Sequence, residues 1–256
     1  MEHIKRIRVL DVPVDMVSKA EALDVFTFLM SKEGLSLIVT PNSEIVENAS
    51  RNLELKSLIE SAELIIPDGI GLVYASKILK NPLQERVTGI DFLSDILVYL
   101  QKNGKSIYLL GSKPGTAELA AEKMKEKYPD LKIAGTHHGY FDGVKQGDFE
   151  TDETKAIVAN INESGADFLC VAMGSPAQEK FIYTHKNNFI NIRAAMGVGG
   201  SLDVWAGTLK RAPKFYQKHG LEWLYRLIQE PSRYKRMIKL PIFMLRVIFS
   251  KKMEDI

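Results

Sequence analysis

The chain has 256 residues, 45% of them hydrophobic and 26% charged, enough for one large domain or one domain with an appendage and incompatible with intrinsic disorder. The formal net charge of +2 argues against a general nucleic-acid binder, so no nucleic acid is expected as a partner. That total hides a division: twelve of the 34 lysines and arginines but only four of the 32 acidic residues lie from Lys210 onward, giving that segment +8 and the remainder −6.

In chain order, residues 7–14 predict a first strand, and Ser18 with Glu21 gives the capping-box signature of a helix running to about Lys32. Further strands are predicted at 35–40, 64–66, 106–110 and 132–135, with Pro114 placed as a first helical residue before a helix over 117–128. A Gly- and Asp-rich loop over 140–154 precedes strands at 168–172 and 192–196. Short β-branched runs alternating with helices are the pattern of crossover units, so the expected class is α/β, a mostly parallel sheet flanked by helices over residues 1–209. From Arg211 the texture changes. Residues 221–228 read as a helix with Trp223, Leu224, Leu227 and Ile228 on its apolar side, and Pro231 starts another segment. The run SRYKRMIKLPIFMLRVIFSKK mixes dense Lys and Arg with Met, Ile, Leu and Phe, and Pro241 is expected to kink it. Residues 210–256 therefore read as a basic, amphipathic helical appendage suited to a membrane interface.

Cys170, the single cysteine, lies in an apolar run and reads as a small buried hydrophobe. With an N-terminal stretch that lacks a signal-peptide apolar region, it favours a reducing, cytoplasmic location. No stretch approaches the ~20 continuous apolar residues of a spanning helix, so any membrane association is expected from the surface.

Several predicted strands run directly into turn-formers and polar groups: Thr40-Pro41-Asn42, Pro67-Asp68-Gly69, Gly111 to Gly115, Met173 to Pro176 and Gly197 to Gly200. In an open parallel sheet these gather at the carboxyl edge, where ligands bind and helix N-termini offer amide donors to anions. The G-x-G-x-x-G spacing and a phosphate-binding lysine loop are both missing, so no dinucleotide cofactor is expected. His137 and His138 are adjacent and would point to opposite faces of a strand, Asp142 adds little, and no D-x-D pair is present. Chemistry without metal or cofactor is expected.

Asp68 ends an apolar strand and is followed by Gly69-Ile70-Gly71. Partial burial there would raise its pKa into the range of a general base, and it is equally placed to cap a helix over 70–79. Thr40, Asn42 and Glu44 share the ambiguity, since Asn42 or Ser43 would cap the next helix. Gln178 and Glu179 fit the first turn of a helix begun at Pro176 as well as they fit a pocket.

Taken together, TPNSEIVENA (40–49), PDGIGLVYASKIL (67–79) with ERVTGIDF (85–92), LLGSKPGTAE (109–118), VAMGSPAQEKFI (171–182) and the segment 197–236, with RAP, GLEWLYRL and EPSRYKR, resemble the WecG/TagA/CpsF glycosyltransferases over nearly the whole chain. The resemblance implies a Rossmann-like fold and a metal-independent, inverting transfer of a sugar, commonly N-acetylmannosamine, from UDP to undecaprenyl-diphosphate-GlcNAc, in teichoic acid linkage-unit or other surface polysaccharide synthesis. It implies Asp68 as the general base, Thr40, Asn42 and Gln178 around the reacting sugar, and Asp203 on the ribose of UDP. Arg226, Arg233 and Arg236 would face diphosphates, with Gly111 and Arg86 as further substrate contacts; for Arg233 and Arg236, three apart on one helix face, the alternative is contact with lipid phosphates without a part in catalysis. The alternative for Arg86 is an ion pair with Asp91 or Glu85. The implied partners are the UDP-sugar, the lipid-linked acceptor and an anionic membrane surface on the inner face of a bacterial membrane. Lys239, Arg246, Lys251 and Lys252 would provide the anchoring charge. The loop 139–154 is assigned no role beyond tuning the acceptor. A different UDP-sugar donor such as the uronic acid, or a noncatalytic UDP-sugar-binding scaffold, are the rival readings. The tail would cover the pocket of a monomer, while a bared apolar surface would support a homo-oligomer.

Overall fold

The computed structural model describes residues 4–254, without the side chains at 233, 235, 236 and 251–254. Residues 7–14 form a hairpin rather than one strand, β1 (Arg6–Val9) and β2 (Val12–Asp15), paired antiparallel with Arg6 opposite Asp15. Leu10 and Asp11 both have positive φ, 50° and 65°, the handedness that matches the twist of a two-residue hairpin turn. Then come α1 (Lys19–Leu29), β3 (Ser36–Val39), α2 (Ser43–Ala49), α3 (Leu53–Glu60), β4 (Leu64–Ile65), α4 (Ile70–Ile78) and α5 (Gly89–Lys102). The second half contains β5 (Ser106–Gly111), α6 (Thr116–Lys127), β6 (Lys132–His137), α7 (Asp152–Glu163), β7 (Phe168–Ala172), α8 (Ala177–Thr184), β8 (Ala194–Gly197) and α9 (Ser201–Trp205). The C-terminal segment folds into α10 (Lys214–Lys218), α11 (Glu222–Gln229), a 3-10 turn at Pro231–Arg233, α12 (Tyr234–Met237) and α13 (Lys239–Glu254).

The six strands β3 to β8 form one parallel sheet in the order β4-β3-β8-β7-β5-β6. A parallel sheet is covered on both faces, and alternate strand residues divide accordingly. Leu37, Val39, Tyr108, Leu110, Leu169, Val171 and Ala195 enter one apolar cluster; Ile38, Ile107, Leu109, Phe168, Cys170, Ala194 and Met196 enter the other. The fold is the expected Rossmann-like α/β arrangement, and Cys170 is a buried hydrophobe whose thiol burial pushes up to about 12.

Local chemistry sets several boundaries. Ser18 and Glu21 form the reciprocal capping box of α1. Pro114 lies in the turn before α6 instead of opening it, because Gly115, at φ 83°, is the N-cap. The segment expected to kink at Pro241 is interrupted at Ile238, between α12 and α13; within α13, which starts at Lys239, the proline falls in the first turn, where its missing N–H has no intrahelical partner to lose.

The tail packs back onto the body. Helix α13 lies against α2 and α4, with Phe243 and Val247 fully buried in the core cluster beneath the sheet. Lys239 and Arg246, expected at an anionic leaflet, instead turn to the body: Lys239 Nζ donates to Asn48 Oδ1 at 2.8 Å, and Arg246 Nη1 donates to Glu47 Oε2 and Ser50 Oγ at 2.7 Å each. Lys251 and Lys252 lie outside the described side chains. The outer face of the segment leaves Ile242, Leu245, Ile248 and Phe249 exposed. Among the described residues no helix is long and apolar enough to cross a membrane.

Candidate active site

The strand-end turns do converge. An open cleft of about 1250 Å³ runs along the carboxyl edge of the sheet, larger than the ~300–1,000 Å³ typical of single small-ligand pockets and so roomy enough for two substrates. Its lining includes Thr40 and Asn42 after β3, Asp68 after β4, Ser112 and Lys113 after β5, Gly139 to Gln146 after β6, Met173 to Ser175 after β7, and Val198 to Ser201 after β8. The C-terminal segment adds Glu222, Trp223, Arg226, Met237 and Leu240.

Asp68 does not cap α4: Gly69 occupies that position, at φ 92°, without a side-chain cap. Its carboxyl is thereby left for the cleft, and its pKa is raised to about 6. Burial is the main cause. Arg226 pulls the value down, Glu222 pushes it up, and the Gly89 amide at the start of α5 and Arg86 favour the ionised form. A carboxylate half-protonated near pH 6 is a competent proton acceptor at neutral pH.

Around it, Thr40 Oγ1 donates to the Gly197 carbonyl at 3.3 Å, which ties β3 to β8. Asn42, not Ser43, caps α2, accepting from the Ile45 amide at 3.0 Å. Gln178 is buried with its amide engaged by backbone and by Glu179. Asp203 accepts from Ser112 Oγ at 3.0 Å, fixing one end of the cleft between β5 and α9. Gly111 lies just behind the lining; a Cβ there would stand 2.4 Å from the Ala172 carbonyl oxygen, so only glycine lets β5 and β7 close at this point. Arg86 pairs with neither Asp91 nor Glu85. It lies 3.0 Å from Glu222 and donates to the Gln217 carbonyl at 3.2 Å, because Asp91 is taken by Arg211 at 2.7 Å and Glu85 by the Lys19 amide. The side chains of Arg233 and Arg236 lie outside the described residues.

The loop 138–151 forms a wall of the cleft and is anchored from behind. Phe141 and Phe149 pack on Phe181, and His185 Nε2 donates to the Phe149 carbonyl at 2.9 Å. His137 and His138 do not diverge: β6 ends at His137, the chain turns, and the two rings approach to 4.5 Å. Among the described residues no three His, Cys, Asp or Glu are grouped as a metal would require. Glu222, Trp223 and Arg211 line or brace the cleft without having been expected there from sequence, which placed Trp223 only on the apolar side of a helix. They belong to the GLEWLYRL and RAP segments, but what they touch depends on how the tail folds back.

A Rossmann-like parallel sheet with an acid and cations gathered in one large cleft at its carboxyl edge has the layout of an α/β enzyme that binds a charged ligand there. The chain belongs to the glycosyl transferase WecG/TagA/CpsF family, which it matches over residues 7–255. It is 36% identical over 249 residues, 96% of this chain and 94% of the relative, to the N-acetylglucosaminyldiphosphoundecaprenol N-acetyl-beta-D-mannosaminyltransferase of Staphylococcus aureus strain MRSA252. The same identity and coverage hold for the proteins of that name from strains MW2 and NCTC 8325 / PS 47. The protein is thus a hexosyltransferase.

Proposed function

We propose that the protein transfers N-acetylmannosamine from UDP-N-acetylmannosamine to N-acetylglucosaminyl-diphosphoundecaprenol, with inversion and without a metal ion, in cell-wall or surface polysaccharide synthesis. Asp68 carries this reading: its carboxylate, poised near pH 6 in the cleft, takes the proton of the acceptor hydroxyl as that oxygen attacks the anomeric carbon and the bond to UDP breaks. Arg226 and Arg86, with the glycine-rich strand ends, oppose the charge that develops on the departing diphosphate. Arg233 and Arg236 are assigned to the same diphosphates. Thr40, Asn42 and Gln178 shape the sugar pocket, and Asp203 with Ser112 holds the ribose. Residues 1–209 act as the catalytic body and 210–256 as the segment that completes the cleft and rests on the inner face of the membrane, with Ile242, Leu245 and Ile248 toward the lipid.

The activity for which the Staphylococcus aureus relatives are named, with similarity over 96% of the chain, supports the acceptor and the sugar. The test is a panel of UDP-sugars with a soluble analogue of the lipid acceptor, read by product mass and UDP release. UDP-N-acetylmannosamine should give a product one N-acetylhexosamine heavier, with UDP released only when both substrates are present. Preferential use of the uronic acid donor would overturn the donor assignment. Conversion of the UDP-sugar without UDP release would overturn the transfer reading.

A further inference from the structure

Behind the cleft lies a carboxyl group that the chemistry above does not use. Glu179, on α8, is 2% exposed. Its Oε1 accepts from Gln178 Nε2 at 2.9 Å; Ser175 Oγ is near enough to favour the ionised carboxyl, but neither that hydroxyl nor Oε2 makes a hydrogen bond of ordinary geometry among the described residues. Gln178 is itself 4% exposed, and its Oε1 accepts from two backbone amides, Gly174 at 3.2 Å and Gly199 at 3.1 Å. Those glycines stand in the loops after β7 and β8, neighbours in the sheet, so one amide oxygen joins two strand ends that line the cleft.

The geometry permits one orientation of that amide. Two N–H donors demand the oxygen, which turns the NH2 group toward Glu179. On another side Gly197 leaves room: a Cβ there would come within 2.4 Å of Gln178 Nε2. Were the acceptor at 179 removed, the buried NH2 would be unpaired, and a flipped amide would set it against the two backbone donors.

We propose that Glu179 is a positioning residue: by accepting from Gln178 it fixes that amide and thereby the spacing of the Gly174 and Gly199 loops, which receive the donor's diphosphate. The last clause rests on the donor reading above; the first does not. Burial pushes the Glu179 pKa up; Glu179→Gln keeps the shape of the side chain and an acceptor oxygen toward Gln178, whereas Glu179→Leu keeps the volume and loses the acceptor.

The test uses the full-length protein and two measurements. In amide hydrogen exchange without ligand, Glu179→Leu should speed exchange at Gly174 and Gly199 by ~10- to 100-fold, as loss of a buried hydrogen bond implies, and Glu179→Gln should match the wild type. Gly197→Ala, which displaces Gln178 from the other side, should reproduce the Leu result and serves if Glu179→Leu does not fold. In steady-state kinetics Glu179→Leu should raise KM for the UDP-sugar and lower kcat by a similar ~10- to 100-fold overall, leave the acceptor KM unchanged, and be rescued to within about threefold by Glu179→Gln. Unchanged exchange in Glu179→Leu, or equal losses in the Leu and Gln variants, would overturn the proposal. Exchange as expected in a protein that uses no UDP-sugar would leave the positioning role standing and remove the donor reading.

Discussion

Arg86 Nη1 lies 3.0 Å from Glu222 Oε2, an ion pair that joins the approach to α5 with the first turn of α11. The two partners act on Asp68 with opposite sign, Glu222 raising its pKa and Arg86 lowering it. The charge of each partner is therefore readable at a third residue. Glu222→Gln removes the raising charge, and the acidic limb of kcat/KM should move below pH 6. Arg86→Gln should move it above. A displacement of a few tenths of a pH unit to about one pH unit is expected for a single nearby charge. Limbs that shift in the same direction in both variants would contradict this arrangement.

Asp68→Asn should lower turnover by ~10²- to 10⁴-fold, the usual contribution of a positioned base. Its effect on stability has the opposite sense. The folded carboxyl titrates near 6 against an ordinary 3.8, so the folded state holds its proton more tightly and stability falls as pH rises from about 3.8 to about 6. Above that window the native Asp68 costs up to about 3 kcal/mol, a difference of about two pH units at 1.36 kcal/mol each. Thermal midpoints should show the variant more stable than the wild type at pH 7.5 and equal to it at pH 3.5. A variant less stable at both values would sink the assignment of a half-buried, proton-preferring Asp68.

Most of this site was legible from strand ends alone. Alternating β-branched runs located six parallel strands, and the polar residues after them fell at one edge because every parallel strand ends on the same side. What sequence left open were partners distant in the chain. Arg86 had two acids within six residues, yet both were already engaged, by Lys19 and by Arg211, and its partner came from 136 residues away. The dense charge of the tail suggested a lipid-facing helix, but Arg246 and Lys239 meet Glu47 and Asn48 of α2 because Phe243 and Val247 bring α13 onto the core. The hairpin at 6–15 was read as one strand because apolar residues run on from Ile7 to Val14, although their phase changes at the turn, from 7 and 9 to 12 and 14.

Arg211 is the first tail residue to grip the body. Its Nη2 lies 2.7 Å from Asp91, which also receives the Thr88 hydroxyl at 2.5 Å at the start of α5. Burial raises the Asp91 pKa, but the hydrogen bonds from Arg211 and Thr88 outweigh it and the carboxyl ends below its ordinary value. Such a group stabilises the fold above its unfolded pKa and loses that contribution as pH falls through the folded one. Because Asp91 is 40% exposed, solvent screening holds the effect to about 1 kcal/mol. Arg211→Ala should therefore lower the urea-derived stability by about that much at pH 7, with the difference shrinking in acid. A loss that does not depend on pH would mean that packing, not the ion pair, holds this junction.

Helix α13 separates its two apolar faces by one residue step, which allows their functions to be separated as well. Phe243 is fully buried among core residues, whereas Leu245 and Ile248 are 55% and 39% exposed. Phe243→Ala should cost about 3–5 kcal/mol, the transfer term plus a cavity, and should show as a lower thermal midpoint together with loss of transfer as the cleft wall loosens. Leu245→Ser with Ile248→Ser should change stability by less than about 0.5 kcal/mol per site, since these side chains leave no cavity. If the outer face meets lipid, that double variant should partition onto anionic vesicles at least ~10-fold more weakly, because each buried CH2 contributes ~0.8 kcal/mol at a membrane. Its turnover on a soluble acceptor analogue should remain that of the wild type. Cosedimentation with phosphatidylglycerol vesicles reads the difference directly, and wild-type vesicle binding by the double variant would place the membrane-facing surface elsewhere on the molecule.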